Sequence, residues 1–119
     1  METDFSDMIG VPYKDGGRDL NGLDCYGAVI VAAKRRGKIL NDVCYTNHAP
    51  ELAEEYAPTL NIKKIEKAEP DALIEMVSGN ELHVGLCLDD TTFLHATRKQ
   101  GVRISRIGSI PIKNYYRIV

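Results

Sequence analysis

At 119 residues the chain is long enough for one domain, 1–119, and too short for two. Its 15 Lys+Arg against 17 Asp+Glu leave a formal charge of −2, with no basic excess for nucleic acid and no charged tail. Hydrophobic residues at 44% suffice for a core, yet the longest apolar run, Ala28 to Ala33, is far too short to cross a bilayer. Neither nucleic acid nor a membrane is therefore an expected partner. The acidic start, Met-Glu-Thr-Asp-Phe-Ser-Asp, lacks an apolar signal core. It predicts a protein that stays in the cytoplasm as synthesised unless something else delivers it.

No repeat, low-complexity stretch or linker divides the chain. A short helix is predicted over Met1 to Ile9, then a loop from Gly10 to Leu23 punctuated by Pro12, Gly16, Gly17 and Gly22. The clearest helix follows. Asp24 is a good N-cap, Ala28 to Ala33 is apolar nearly all round, Lys34, Arg35 and Arg36 fill the last turn, and Gly37 suits the C′ position. A helix this apolar belongs at the centre of the fold. A second helix is predicted from Pro50 to Tyr56 or Ala57, with Pro58 beyond it.

After Pro58 the pattern turns to strands: Asn61 to Lys67, Ala72 to Val77, Leu82 to Leu88, Thr92 to Thr97, Val102 to Ile107 and Lys113 to Val119. The second of these reads equally well as helix. In the best of them Leu82, Val84, Leu86 and Leu88 line one face, and His83, Gly85 and Cys87 the other. Helices first and strands second predict an α+β fold with an antiparallel sheet.

Three cysteines, Cys25, Cys44 and Cys87, cannot all pair within one chain, and none forms a CxxC. Cys25 directly follows the N-cap of the central helix, where backbone N–H groups and the helix dipole favour a thiolate. By itself that position also suits a buried structural cysteine. The histidines shift the balance. With a three-residue loop, Asp89 to Thr91, Leu88 pairs with Thr92 and His95 falls opposite Gly85. His83 and His95 then share one face as diagonal neighbours, whereas an even-length loop would part them. A thiol at a helix start with two such imidazoles supplies a nucleophile, a base and an orienting group.

A zinc site of Cys25, His83, Cys87 and His95 is the competing reading, but the spacings match no usual zinc pattern, so no metal or cofactor is expected. His48 reads as a solvated residue at a helix start. Gly16-Gly-Arg-Asp-Leu-Asn-Gly22 lacks the Lys-Ser/Thr of a phosphate loop.

Two segments carry a resemblance. Ile9-Gly-Val-Pro-Tyr-Lys-Asp-Gly-Gly17 with Gly22-Leu-Asp-Cys-Tyr-Gly-Ala-Val29 resembles the nucleophile segment of the NlpC family of bacterial cell-wall peptidases. His83-Val-Gly-Leu-Cys-Leu88, with Phe93-Leu-His-Ala96 and Gly101-Val-Arg-Ile104, is similar to that family's histidine hairpin. The resemblance runs from about Ile9 to Ile107. It implies a papain-like α+β fold with N-terminal helices, the cysteine helix packed on the sheet. It also implies hydrolysis of peptidoglycan stem peptides, between D-glutamate and the diamino acid, through a thioacyl-enzyme.

In that frame Cys25 is the nucleophile, His83 the base and His95 its orienting residue. Tyr13 lines the oxyanion region, and Asp24 and Tyr26 border a pocket for the substrate's free amine. Tyr26 stands where many members have Ser, and Ala72-Leu-Ile-Glu replaces the usual Gly-Asp-Leu-Val. The Gly-Arg-Asp and Asp-Cys-Tyr-Gly wording is most like versions encoded with phage tail genes, which implies tail proteins as partners and carriage by a virion. Two other functions fit the same residues: a non-catalytic tail-assembly protein keeping the fold, and an intracellular thiol amidase or acyltransferase.

Overall fold

The structure, a computed structural model, describes residues 4–42, 60–79 and 81–119. Cys44, His48 and the helix predicted from Pro50 lie outside the described residues. Two short strands, β1 (Arg18–Asp19) and β2 (Gly22–Leu23), pair antiparallel and lead directly into helix α1 (Cys25–Arg35). Strands β3 (Ile62–Ile65), β4 (Leu73–Ser78), β5 (Glu81–Cys87), β6 (Thr92–Thr97), β7 (Gly101–Arg106) and β8 (Ile112–Ile118) follow. They form one antiparallel sheet in the order β3-β8-β4-β5-β6-β7. The α+β expectation holds.

Two expectations at the N-terminal end do not. Over residues 6–10 the chain makes turns rather than a helix, with the Met8 and Ile9 N–H groups donating to the Phe5 carbonyl. A segment this short gains little from helical hydrogen bonds, and here it serves to plug Phe5 and Met8 into the core. The predicted loop before α1 contains the β1–β2 ribbon. Strands of two residues are too short to show any period in sequence.

Helix α1 is closed at its far end as its sequence dictates. Gly37, at φ 77°, donates to the Lys34 carbonyl and Lys38 to that of Ala33, the paired bonds of a Schellman motif. Its apolar residues Ala28, Val29, Ala32 and Ala33 pack with Leu73, Val84, Leu86, Leu94 and Ala96 on one face of the sheet. The opposite face buries Ala72, Ile74, Met76, Cys87 and Phe93. Apolar cover on both faces explains why the segment from Ala72 lacks strand alternation and reads ambiguously in sequence.

The loop before α1 is sewn onto the sheet's β7 edge. Gly10 N–H donates to the Val102 carbonyl (2.8 Å) and Val102 N–H to that of Val11 (2.9 Å). Gly101 makes this approach possible, since its φ is 71° and a Cβ there would overlap the Val11 carbonyl.

Candidate active site

Asp24 sets where α1 begins. Its carboxylate accepts from the Gly27 N–H at 2.6 Å, which satisfies one of the helix's unpaired first-turn donors. The same carboxylate accepts from Arg18 Nη1 at 2.8 Å and from the Gly16 N–H at 3.0 Å. Cys25 is thereby fixed as the first helical residue, almost fully buried, at the positive end of the helix dipole.

The histidines come together through the β5–β6 hairpin. Asp89 Oδ1 accepts from the backbone N–H and the hydroxyl of both Thr91 and Thr92, and these bonds hold its pKa down at about 2. The turn so made pairs Leu88 with Thr92, Cys87 with Phe93 and Leu86 with Leu94. That is the odd-loop register, and it lays His83 and His95 on one face. The His83 Nε2 and His95 Nδ1 atoms are 2.7 Å apart, with the rings edge to face. At Gly85 a Cβ would crowd Phe93 Cδ2 (2.8 Å) and the Leu94 carbonyl oxygen (2.9 Å), so the glycine lets β6 cross close to β5.

Beyond Leu86–Leu94 the β5–β6 ladder is not continued, although β4–β5 and β6–β7 remain paired there. Glu81, Leu82 and His83 from β5, Ala96 and Thr97 from the end of β6 and Arg98 just beyond it line a cavity of about 460 Å³, together with Tyr13 and Cys25. His83 thus reaches the same space as Cys25, although the face it starts from is the one opposite α1.

His95 is 2% exposed, under the Phe93 ring, and its Nε2 lies 2.7 Å from Ser105 Oγ. Burial, then the neighbouring His83 and Arg103, push its pKa down to about 3, so it is neutral at pH 7. Tyr13 stacks under the Arg98 guanidinium, 4.8 Å from ring centroid to Cζ. Burial, then the nearby Cys25, raise its phenol pKa, so the O–H is retained as a donor. Arg98 also reaches Glu81, at 3.3 Å.

Cys25, His83, His95 and Tyr13 are therefore gathered at one place. Asp24 and Tyr26 do not line this cavity. Asp24 is 2% exposed and committed to Arg18, Gly16 and Gly27. The Tyr26 ring is buried beside Arg18, and its hydroxyl donates to the Asn41 carbonyl at 2.5 Å. Asp24 fixes the helix start, and Tyr26 ties the helix to the segment at Asn41. Cys87 is fully buried in the opposite apolar cluster, its thiol pKa pushed up to about 12 by burial. Among the described residues no group of three His, Cys, Asp or Glu side chains is disposed to hold a metal ion.

A thiol that starts the central helix thus shares a cavity with an imidazole backed by a second one, on a papain-like α+β fold. The sequence profile of the NlpC/P60 family matches residues 10–119, and the chain belongs to that family. The probable endopeptidase NlpC of Escherichia coli (strain K12) is 30% identical over 107 residues, which cover 85% of this chain and 62% of that protein. The chain thus spans about three fifths of that relative's length. The crystal structure of the NlpC/p60 domain of the peptidoglycan hydrolase SagA shares the fold. Its TM-score is 0.61 at 23% identity, covering 91% of this chain and 87% of that one.

Ser105 was not among the residues expected from sequence. The signal that finds it is register: a serine on β7 diagonal to His95.

Proposed function

We propose that this domain is a cysteine endopeptidase acting on peptidoglycan stem peptides. The observation that carries the reading is the cavity shared by Cys25 and His83, with His95 bonded behind His83. Cys25 passes its proton to His83, and the thiolate attacks the scissile carbonyl carbon. The oxyanion that forms is met by the Cys25 backbone N–H at the helix start and by the Tyr13 O–H. His83 returns the proton to the leaving amine, the C–N bond breaks, and a thioacyl-enzyme remains. Water, deprotonated by His83, then attacks the thioester and releases the acid, regenerating the thiol. His95, neutral and buried, accepts from His83 Nε2–H and stabilises the imidazolium between steps.

Among the described residues the cavity lining holds Arg98, Lys99 and Glu81, and Arg98 lies 3.3 Å from Glu81 and 3.7 Å from Asp15. Lys99 offers a partner to a carboxylate of a stem peptide. The bond between D-glutamate and the diamino acid is the proposed target, on the family resemblance. Action at the cell wall, delivery by a virion and contact with tail proteins belong to the same proposal.

The test is incubation of the domain with purified muropeptides and mass spectrometry of the products. The expected result is hydrolysis at that bond, abolished in Cys25→Ala. Intact muropeptides after prolonged incubation with folded protein would overturn the reading.

A further inference from the structure

We propose that Ser105 is a positioning residue, whose Oγ accepts the His95 Nε2 proton and holds His95 in the tautomer with Nδ1 as acceptor. The inference rests on the reading of Cys25 as nucleophile and His83 as base. It deepens that reading by adding a third side chain to the line of groups behind the thiol.

The proton inventory forces the assignment. In the thiolate–imidazolium pair both His83 nitrogens carry protons. Its Nε2–H points at His95 Nδ1, 2.7 Å away, which must then present a lone pair. His95 is buried and neutral, so its single proton is on Nε2, 2.7 Å from Ser105 Oγ. The hydroxyl oxygen is the acceptor there.

The reverse orientation disables the site. If Ser105 donated to Nε2, His95 would carry its proton on Nδ1 and point it at His83 Nε2. A neutral His83 would then be protonated on Nδ1 and have no lone pair left for the thiol. Which nitrogen of His95 is protonated is thus the switch between a base and a bystander.

Register delivers the serine. Strand β7 pairs Ser105 with Phe93 and Arg103 with His95, so Ser105 is the diagonal neighbour of His95 on the same face. The groups facing the His95 ring are His83 from β5, Ser105 and Arg103 from β7, and Phe93 from its own strand.

Ser105→Ala leaves a buried N–H without its partner, or drives the proton to Nδ1 against His83. Either outcome weakens the imidazolium. We expect kcat on a muropeptide to fall roughly tenfold to a hundredfold, the cost of an unpaired buried donor, with KM little changed. Ser105→Thr, which keeps the hydroxyl, should restore most of it.

Two readouts need no substrate. Nitrogen-15 NMR of the His95 ring should show the Nε2–H tautomer in the parent, and the pH profile of Cys25 alkylation should move upward in Ser105→Ala. A His95 ring protonated on Nδ1 in the parent would overturn the proposal, even if Ser105→Ala fails to fold. So would a Ser105→Ala protein with the parent's alkylation profile. Absence of muropeptide cleavage by the parent, with the tautomer as expected, would count against the proposed function and leave the role of Ser105 standing.

Discussion

The thiols of Cys25 and Cys87 sit in opposite surroundings. Cys25 starts a helix, where the dipole favours the anion, and it borders a cavity. Cys87 is sealed among Ile74, Met76 and Phe93, where burial disfavours the anion. Iodoacetamide at neutral pH should therefore label Cys25 at least tenfold faster than Cys87, read by peptide mass spectrometry. Faster labelling of Cys87 would remove Cys25 as the nucleophile.

The two histidines separate by mutation. His83→Ala should cost roughly 10²- to 10⁴-fold in kcat, the usual worth of a general base. His95→Gln should retain more, because an amide oxygen still accepts from His83 Nε2–H. Equal losses in steady-state kinetics would refute the division of labour between them. Both imidazoles were legible in sequence from the parity of a three-residue loop. Ser105 was not, because a lone serine in Arg-Ile-Ser-Arg reads as a solvated strand residue until the β6–β7 register is known.

At the scale of elements, the helix start depends on how closely the β1–β2 ribbon approaches it. Gly27 is the third helical residue, and a Cβ there would overlap the Gly17 carbonyl oxygen and lie 3.1 Å from Arg18 Nη1. In an open helix Gly→Ala is stabilising by about 1 kcal/mol. Here the overlap is with backbone that Arg18 and Asp24 hold in place. The sign should reverse: Gly27→Ala is expected to destabilise by about 1–3 kcal/mol, the usual cost of overpacking, measured by urea unfolding. A stabilised variant would show that the ribbon yields easily and does not fix Cys25. Sequence showed the cap, the helix and the glycine, but not the ribbon that makes the glycine necessary. Six strands after Pro58 were legible because the sequence of β5 alternates and turn residues bound them, while β4 and β6, covered on both faces, do not alternate.

For the molecule as a whole, the site costs stability in acid. His95 binds a proton in the folded protein only near pH 3, against an ordinary value of about 6.5 in an unfolded chain. Between those values the unfolded state holds more protons, so stability rises with pH and is lost progressively as pH falls from about 6.5 toward 3. The carboxylates whose pKa values are held low, Asp4, Asp7, Glu69 and Asp89, add their own losses only below their ordinary range near 4. The window from pH 6.5 to about 5 therefore reports on His95. The parent's unfolding free energy should fall there with a slope approaching about 1.4 kcal/mol per pH unit, the value for one proton. His95→Gln removes the titrating group while filling similar space, and its profile should be flatter by that amount. Denaturant titrations of both proteins at half-unit pH steps decide the matter. Parallel curves would mean that His95 takes up its proton in the folded state as readily as in the unfolded one. The neutral acceptor behind His83, on which the proton inventory of the whole site depends, would then be lost.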